Sequence, residues 1–237
     1  MTDYVFPGLQ ATFSRNLPPL STVIVAGGRK PSLDWLRELS RGRALWAVDG
    51  GLEACFAATM KPDRLIGDGD SASSESWEKA LASGVTIDRY PREKDWTDLQ
   101  IALKTLGGEK KGSAIVTGCW GGRFDHLFGN VFSLIGARKW LAEVRCMGDE
   151  REFLFLLSGG DEIQVEWSRK PTVLSLLPLE RQCRGVSLDG VRWPLTNASL
   201  EQAMPYAVSN EPQDGPVQLN LTKGELALYL GWAEREG

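Results

Sequence analysis

Two carboxylates separated by a single glycine stand in the stretch Leu65-Ile66-Gly67-Asp68-Gly69-Asp70-Ser71. The apolar residues before them read as a short buried strand, and the polar Ser71-Ala72-Ser73-Ser74 after them as a loop. Residues i and i+2 of an extended chain point the same way, with Cα atoms about 6–7 Å apart. Two like charges that close repel, and one pKa rises unless a cation lies between them. Hard oxygens of this kind suit Mg²⁺, which takes one or two carboxylates and completes its shell with water and substrate phosphates. The same aspartates also read as helix caps or Asx-turn residues, because Asp-Gly is a common turn dipeptide.

Similar segments recur along the chain. Asp95-Trp96-Thr97-Asp98 precedes Leu99, Leu103 and Leu106 on one helical stripe. Asp95 as N-cap and Asp98 at N3 both favour a helix amino end; one or both also suit a metal held by Asp68 and Asp70. Gly118 to Asp125 follows a strand and opens a helix, so its glycines permit close backbone approach and the helix end favours an anion. Arg123 there either clamps a phosphate through paired hydrogen bonds or points into solvent from a plain turn. Neither G-x-G-x-x-G nor G-x-x-x-x-G-K-[ST] occurs in this loop. Asp49-Gly50-Gly51 ends another strand, His126 reads as structural, and Trp193 reads as a core residue or a stacking platform. Ser209-Asn210-Glu211-Pro212 reads as a turn.

These residues need elements to position them. Thr22–Ala26, Ala44–Val48, Leu65–Ile66, Val85–Ile87, Ala114–Thr117 and Val144–Met147 read as strands. Ser32–Ser40, Leu52–Met60, Ser74–Ser83, Asp95–Leu106 and Phe124–Leu141 read as the helices between them. The alternation predicts an α/β domain over residues 1–150, Rossmann-like, with a mostly parallel sheet covered by helices on both faces. Ligands of such sheets bind beyond the carboxyl ends of the strands, and four of those ends carry glycines or carboxylates. Past residue 150, short strand-like runs separated by Gly, Pro, Asn and Asp predict an all-β domain over 151–237, a sandwich or partly open barrel. Residues 1–20 carry no landmark and read as a peripheral strand or arm.

Composition narrows the function. The chain has 237 residues, 42% hydrophobic and 24% charged, as in ordinary globular proteins, and a formal net charge of −4. That balance gives no basic footprint for nucleic acid. No apolar run approaches the ~18 residues of a membrane span, and the amino terminus lacks a signal pattern, so a cytoplasmic protein without a membrane partner is expected. Cys55, Cys119, Cys146 and Cys183 are scattered and read as free, mainly buried thiols in a reducing compartment. A single histidine, His126, argues against a Ser-His-Asp hydrolase.

With these residues in place, the chain resembles the thiamin pyrophosphokinase family over almost its full length. Val48-Asp49-Gly50-Gly51 is similar to that family's A-D-G-G segment, and Gly67-Asp68-Gly69-Asp70-Ser71 to its G-D-x-D-S segment. Asp95-Trp96-Thr97-Asp98 resembles D-x-T-D, and Gly121-Gly122-Arg123-Phe124-Asp125-His126 resembles G-G-R-x-D-H. Leu176-Leu177-Pro178-Leu179, the Trp193 segment and Ser209-Asn210 match later landmarks, whereas Leu52-Glu53 departs from the residues common after A-D-G-G.

The resemblance implies an α/β catalytic domain, a β domain that binds thiamin, and a homodimer with active sites at the subunit interface. It implies transfer of the diphosphoryl group of ATP to the hydroxyl of thiamin, giving thiamin diphosphate and AMP. Carried over, Asp68, Asp70 and Asp98 would be catalytic residues holding Mg²⁺ on the phosphates, with Asp70 or Asp98 the candidate acceptor of the hydroxyl proton. Asp49 and Asp125 would line the same cleft, Thr97 and Arg123 would touch phosphates, and Trp193, Ser209 and Asn210 would shape the thiamin pocket. A diphosphokinase for a pterin alcohol and a non-catalytic sensor of thiamin or nucleotide are the competing readings.

Overall fold

The computed structural model describes residues 1–69, 72–109 and 113–232, and the chain divides into two compact units. One unit comprises residues 1–19 and 150–237, and the other residues 20–149. The chain begins with a hairpin, β1 (Thr2–Phe6) and β2 (Leu9–Phe13), in which Tyr4, Phe6, Leu9, Ala11 and Phe13 alternate onto a buried face. Period-two burial is what a half-buried strand requires. This hairpin corrects the expected domain boundary: residues 1–19 join the carboxy-terminal unit instead of the α/β unit.

In the unit of residues 20–149, strands and helices alternate. They run β3 (Leu20–Val25), α1 (Leu33–Leu39), β4 (Ala44–Val48), α2 (Gly51–Ala57), β5 (Arg64–Gly67), α3 (Ser74–Ala82), β6 (Thr86–Arg89), α4 (Asp98–Gly108), β7 (Ser113–Thr117), α5 (Phe124–Gly136) and β8 (Glu143–Gly148). A 3₁₀ turn, Ala137–Trp140, follows α5, so the long helix expected to Leu141 ends early. The strands pair in the order β8-β7-β3-β4-β5-β6, each pair parallel. Val23, Ile24, Val25, Leu65, Ile66, Ile115 and Val116 are fully buried, as the continuous apolar runs of parallel strands demand.

The other unit continues with β9 (Glu152–Ser158), β10 (Asp161–Trp167), β11 (Val173–Pro178), β12 (Gln182–Asp189), β13 (Leu195–Glu201), β14 (Val217–Leu221) and β15 (Glu225–Gly231). Six strands pair as β1-β2-β10-β14-β12-β13, and β11, β15 and β9 form antiparallel neighbours. Phe6 and Phe13 meet Phe153 and Phe155 of β9, with ring centroids 4.7–6.4 Å apart. The chain's strands are therefore of both kinds, parallel in one unit and antiparallel in the other. Among the described residues, no helix is long and apolar enough to cross a membrane.

Candidate active site

The carboxyl ends of β4 and β5 bring the first acids together. Asp49 leaves β4 with φ at 48°, in the left-handed region, while its N–H donates to the Ile66 carbonyl at 3.0 Å. Its carboxylate lies over Gly67, where a methyl group would overlap it. Glycine at 67 is thus fixed by the acid next door and not by its own backbone angle. Asp68 follows directly. Asp70 and Ser71 lie outside the described residues.

The third acid arrives on α4. The helix begins later than the sequence predicts: Thr97, not Asp95, is its N-cap, and Asp98 is its first residue. The Thr97 hydroxyl accepts from Gln100 N–H at 3.2 Å, and the Gln100 side chain accepts from Thr97 N–H at 3.0 Å. This capping box satisfies two of the helix's orphan donors and leaves Asp98 free to face β4 and β5. Sequence reasoning favoured the acid as cap because aspartate and threonine both cap well.

Lys94, which sequence reasoning missed, sits among these acids. Its Nζ is 3.1 Å from Asp98 Oδ1 and 3.7 Å from Asp68 Oδ2, and it donates to the Pro91 carbonyl at 3.1 Å. The contact with Asp98 Oδ1 has the distance of an ion pair without hydrogen-bond geometry, so that oxygen, like Asp49 Oδ1, is buried with no hydrogen-bond partner. The i, i+4 spacing of Lys94 and Asp98 was the signal available in the sequence.

At Asp49 the repulsion outweighs the attraction of the one ammonium. Burial, then the charge of Asp98, a hydrogen bond to Asp98 that only the protonated acid can make, and the charge of Asp68 push Asp49 up to about 7, with Lys94 opposing. Acids in that state fit a hard dication. Buried carboxylate oxygens without donors are what such an ion would satisfy, and Mg²⁺ needs only one or two from protein. Among the described residues, no three His, Cys, Asp or Glu side chains form a ready-made ion cage, so waters and substrate phosphates would supply the remaining oxygens.

Neighbouring contacts fix this corner in place. Glu53 accepts from the N–H and hydroxyl of Ser73 at 3.0 and 2.9 Å, and these bonds lower its pKa. Leu52 beside it is fully buried. The Leu52-Glu53 departure therefore packs α2 and ties it to the cap of α3. Arg29 holds Asp149, at the end of β8, through two guanidinium nitrogens at 2.7–3.0 Å, another pair the sequence did not reveal. A cavity of about 510 Å³ opens beside Lys94, walled by Tyr90, Trp96, Ile101 and Lys104.

The Gly118–Asp125 loop is positioned differently. Gly118 has φ +65° and approaches the Ala26 backbone so closely that a side chain would clash, and its carbonyl accepts from Gly28 N–H at 2.6 Å. Arg123 and Asp125 pair with each other at the amino end of α5, with Arg123 Nε donating to Asp125 Oδ1 at 3.1 Å. Both are exposed, as is His126. The groups acting on Asp49 are Asp98, Asp68 and Lys94, and Asp125 is not among them.

In the β-rich unit, Asn210 is a buried staple. Its Oδ1 accepts from Trp193 N–H at 3.2 Å and Glu211 N–H at 2.9 Å, and its Nδ2 donates to the Trp193 carbonyl at 2.7 Å. Trp193 itself is 52% exposed with Arg192 stacked 4.7 Å from its ring, so it is a surface and not a core residue. Ser209 has φ 59°, and its N–H donates to the Ser175 hydroxyl at 3.0 Å.

Comparison with known proteins gives first a class, an enzyme built from a catalytic part and a vitamin-binding part. Residues 36–145 match the model for "Thiamin pyrophosphokinase, catalytic domain", and residues 162–226 that for "Thiamin pyrophosphokinase, vitamin B1 binding domain". The chain belongs to the thiamin pyrophosphokinase family. It is 27% identical to thiamine pyrophosphokinase of Bacillus subtilis over 86% of this chain and 95% of that protein. It is also 27% identical to thiamine pyrophosphokinase 1 of Oryza sativa over 90% of each. The solved thiamin pyrophosphokinase of Geobacillus thermodenitrificans superposes with a TM-score of 0.77 at 26% identity, covering 92% of this chain and 99% of that one.

Proposed function

We propose that this protein transfers the diphosphoryl group of ATP to the hydroxyl of thiamin, releasing AMP. The observation that carries the reading is the convergence of Asp49, Asp68 and Asp98 at the ends of β4, β5 and the start of α4, with Asp49 Oδ1 and Asp98 Oδ1 buried without a hydrogen-bond partner. Phosphoryl-type transfer asks little covalent chemistry of a protein; positioning and charge neutralisation supply most of it. Asp68 and Asp98, with Asp70, would hold Mg²⁺, which when bound neutralises the phosphates and reverses the local sign. Asp49 lines the same corner, and the acids also suit the thiazolium cation. Thr97 orients Asp98 through its cap, while Arg123 and Asp125 stand at a helix amino end suited to phosphate.

The 20–149 unit serves in this reading as a Rossmann-like ATP and Mg²⁺ domain with helices on both faces, and the 1–19 and 150–237 unit as a sandwich that binds thiamin on Trp193, Ser209 and Asn210. Support for a homodimer comes from α5, where Phe124, Phe128 and Phe132 form an exposed ladder with centroids 6.0 and 4.6 Å apart. Solvent-facing aromatics at i, i+4 spacing favour a partner. Active sites shared between subunits predict recovery when inactive Asp70→Asn and Trp193→Ala chains are mixed; no recovery after verified exchange refutes sharing. The four buried free thiols suit a reducing, cytoplasmic setting.

The deciding experiment incubates the protein with thiamin, ATP and Mg²⁺ and resolves the nucleotide products. AMP formed one-for-one with thiamin diphosphate is expected. ADP would overturn the mechanism, and no thiamin-dependent turnover would favour the pterin or sensor reading.

A further inference from the structure

We infer that Lys94 is a resident counter-ion, which releases Asp68 and Asp98 when a divalent cation enters and takes the phosphate of the nucleotide instead. The inference rests on the proposed metal at these carboxylates. Nζ lies between two acids from different elements, at 3.1 and 3.7 Å, in a corner where the lysine and both aspartate side chains are only 12–16% exposed. A metal ion bound to the same oxygens would bring two positive charges against the ammonium in a poorly solvated place, so both cannot keep those partners.

The surroundings give the ammonium somewhere to go. Its other contact is the Pro91 carbonyl within its own loop, and Lys94 itself lines the cavity of about 510 Å³ together with Asp95 and Lys104. A polyphosphate arriving with the metal is an anion beside a newly released cation. Lysine suits such an exchange because its point charge on a flexible stem has no fixed fork geometry to satisfy. Lys94 thus partly neutralises the acids, and metal and lysine compete for them.

Mn²⁺ serves as the probe, with binding measured by the loss of its free paramagnetic resonance signal. Lys94→Met is expected to bind Mn²⁺ alone about tenfold more tightly than the unaltered protein, the scale of one nearby charge removed. It should bind the Mn²⁺ complex of a non-hydrolysable ATP analogue more weakly, and Lys94→Arg should stay near the unaltered protein for Mn²⁺ alone. A folded Lys94→Met chain that binds Mn²⁺ no more tightly overturns the inference. A second measurement needs no variant: limited acetylation read by peptide mass spectrometry. Lys94 labelling should rise with Mn²⁺ alone and fall when the analogue is added; labelling indifferent to Mn²⁺ overturns the exchange. Thiamin enters neither measurement, so failure to form AMP would strike the proposed function and leave these readings standing.

Discussion

The corner of Asp49, Asp68 and Asp98 and the Arg123–Asp125 pair come from equally suggestive sequence segments, and the structure treats them in opposite ways. The first gathers acids from three elements, buries oxygens without donors and tolerates a raised pKa. The second pairs two neighbours on one exposed helix end, where solvent screens the attraction. The difference is one of burial, not of residue type. Charge held under strain in a low-dielectric corner is available for binding, whereas a solvated pair is already satisfied.

Substitutions at four positions would break or sharpen this contrast. Asp98→Asn is expected to lower thiamin-dependent turnover by about 10²–10³-fold, the scale of one lost electrostatic partner in a preorganised site. Its thermal midpoint should hold or rise, because a repelling charge near Asp49 is gone. Activity near the unaltered value would remove Asp98 from the site.

The pH dependence comes next. Asp49 is raised from 3.8 to about 7 in the folded chain, which keeps a proton that the unfolded chain has released. Without metal, stability should therefore fall as pH rises from about 4 to about 7, by roughly 2–4 kcal/mol, and level off above. Asp49→Asn should flatten that decline in denaturant titrations; an equal slope in both proteins would contradict the raised pKa.

Gly67→Ala should cost about 1–3 kcal/mol of stability through overlap with the Asp49 carboxylate. Combined with Asp49→Ala, which removes the obstructing group, most of the loss should return; a merely additive double variant would show the strain lies elsewhere. Arg123→Ala should leave the thermal midpoint unchanged, since both partners are solvated. A raised KM for ATP with that midpoint intact would show that the exposed pair works only once substrate arrives.

Much of this was legible from local pattern. The apolar β-branched runs located β3 to β8 to within a few residues, because all but the part-exposed β6 are largely buried on both faces and carry no ambiguity of side. Asp49 and Asp68 were recognisable by type and strand-end position, and Asp98 by its place at a helix amino end. Lys94 was not, since apart from its i, i+4 spacing to Asp98 a lysine before D-x-T-D looks like any other until folding brings Asp68 beside it. The amino-terminal hairpin was missed although Tyr4, Phe6, Leu9, Ala11 and Phe13 alternate, because its partner β10 lies some 150 residues away. β13 escaped notice for a different reason: most of its residues stay at least partly exposed, so hydrophobic periodicity has little to report. Thr97 against Asp95 as cap turned on tertiary placement, with propensity nearly silent.

The pairing of β2 with β10, Phe13 opposite Ile163, also sets an order of events during synthesis. The first strands leave the ribosome long before their partner exists, while residues 20–149 make a compact unit of their own. That unit is expected to form while the hairpin waits with its aromatic face uncovered, the species most exposed to chaperones and to self-association. Once the intervening unit has folded, its ends shorten the effective search for β10, so the insertion that separates the two strands also helps to reunite them.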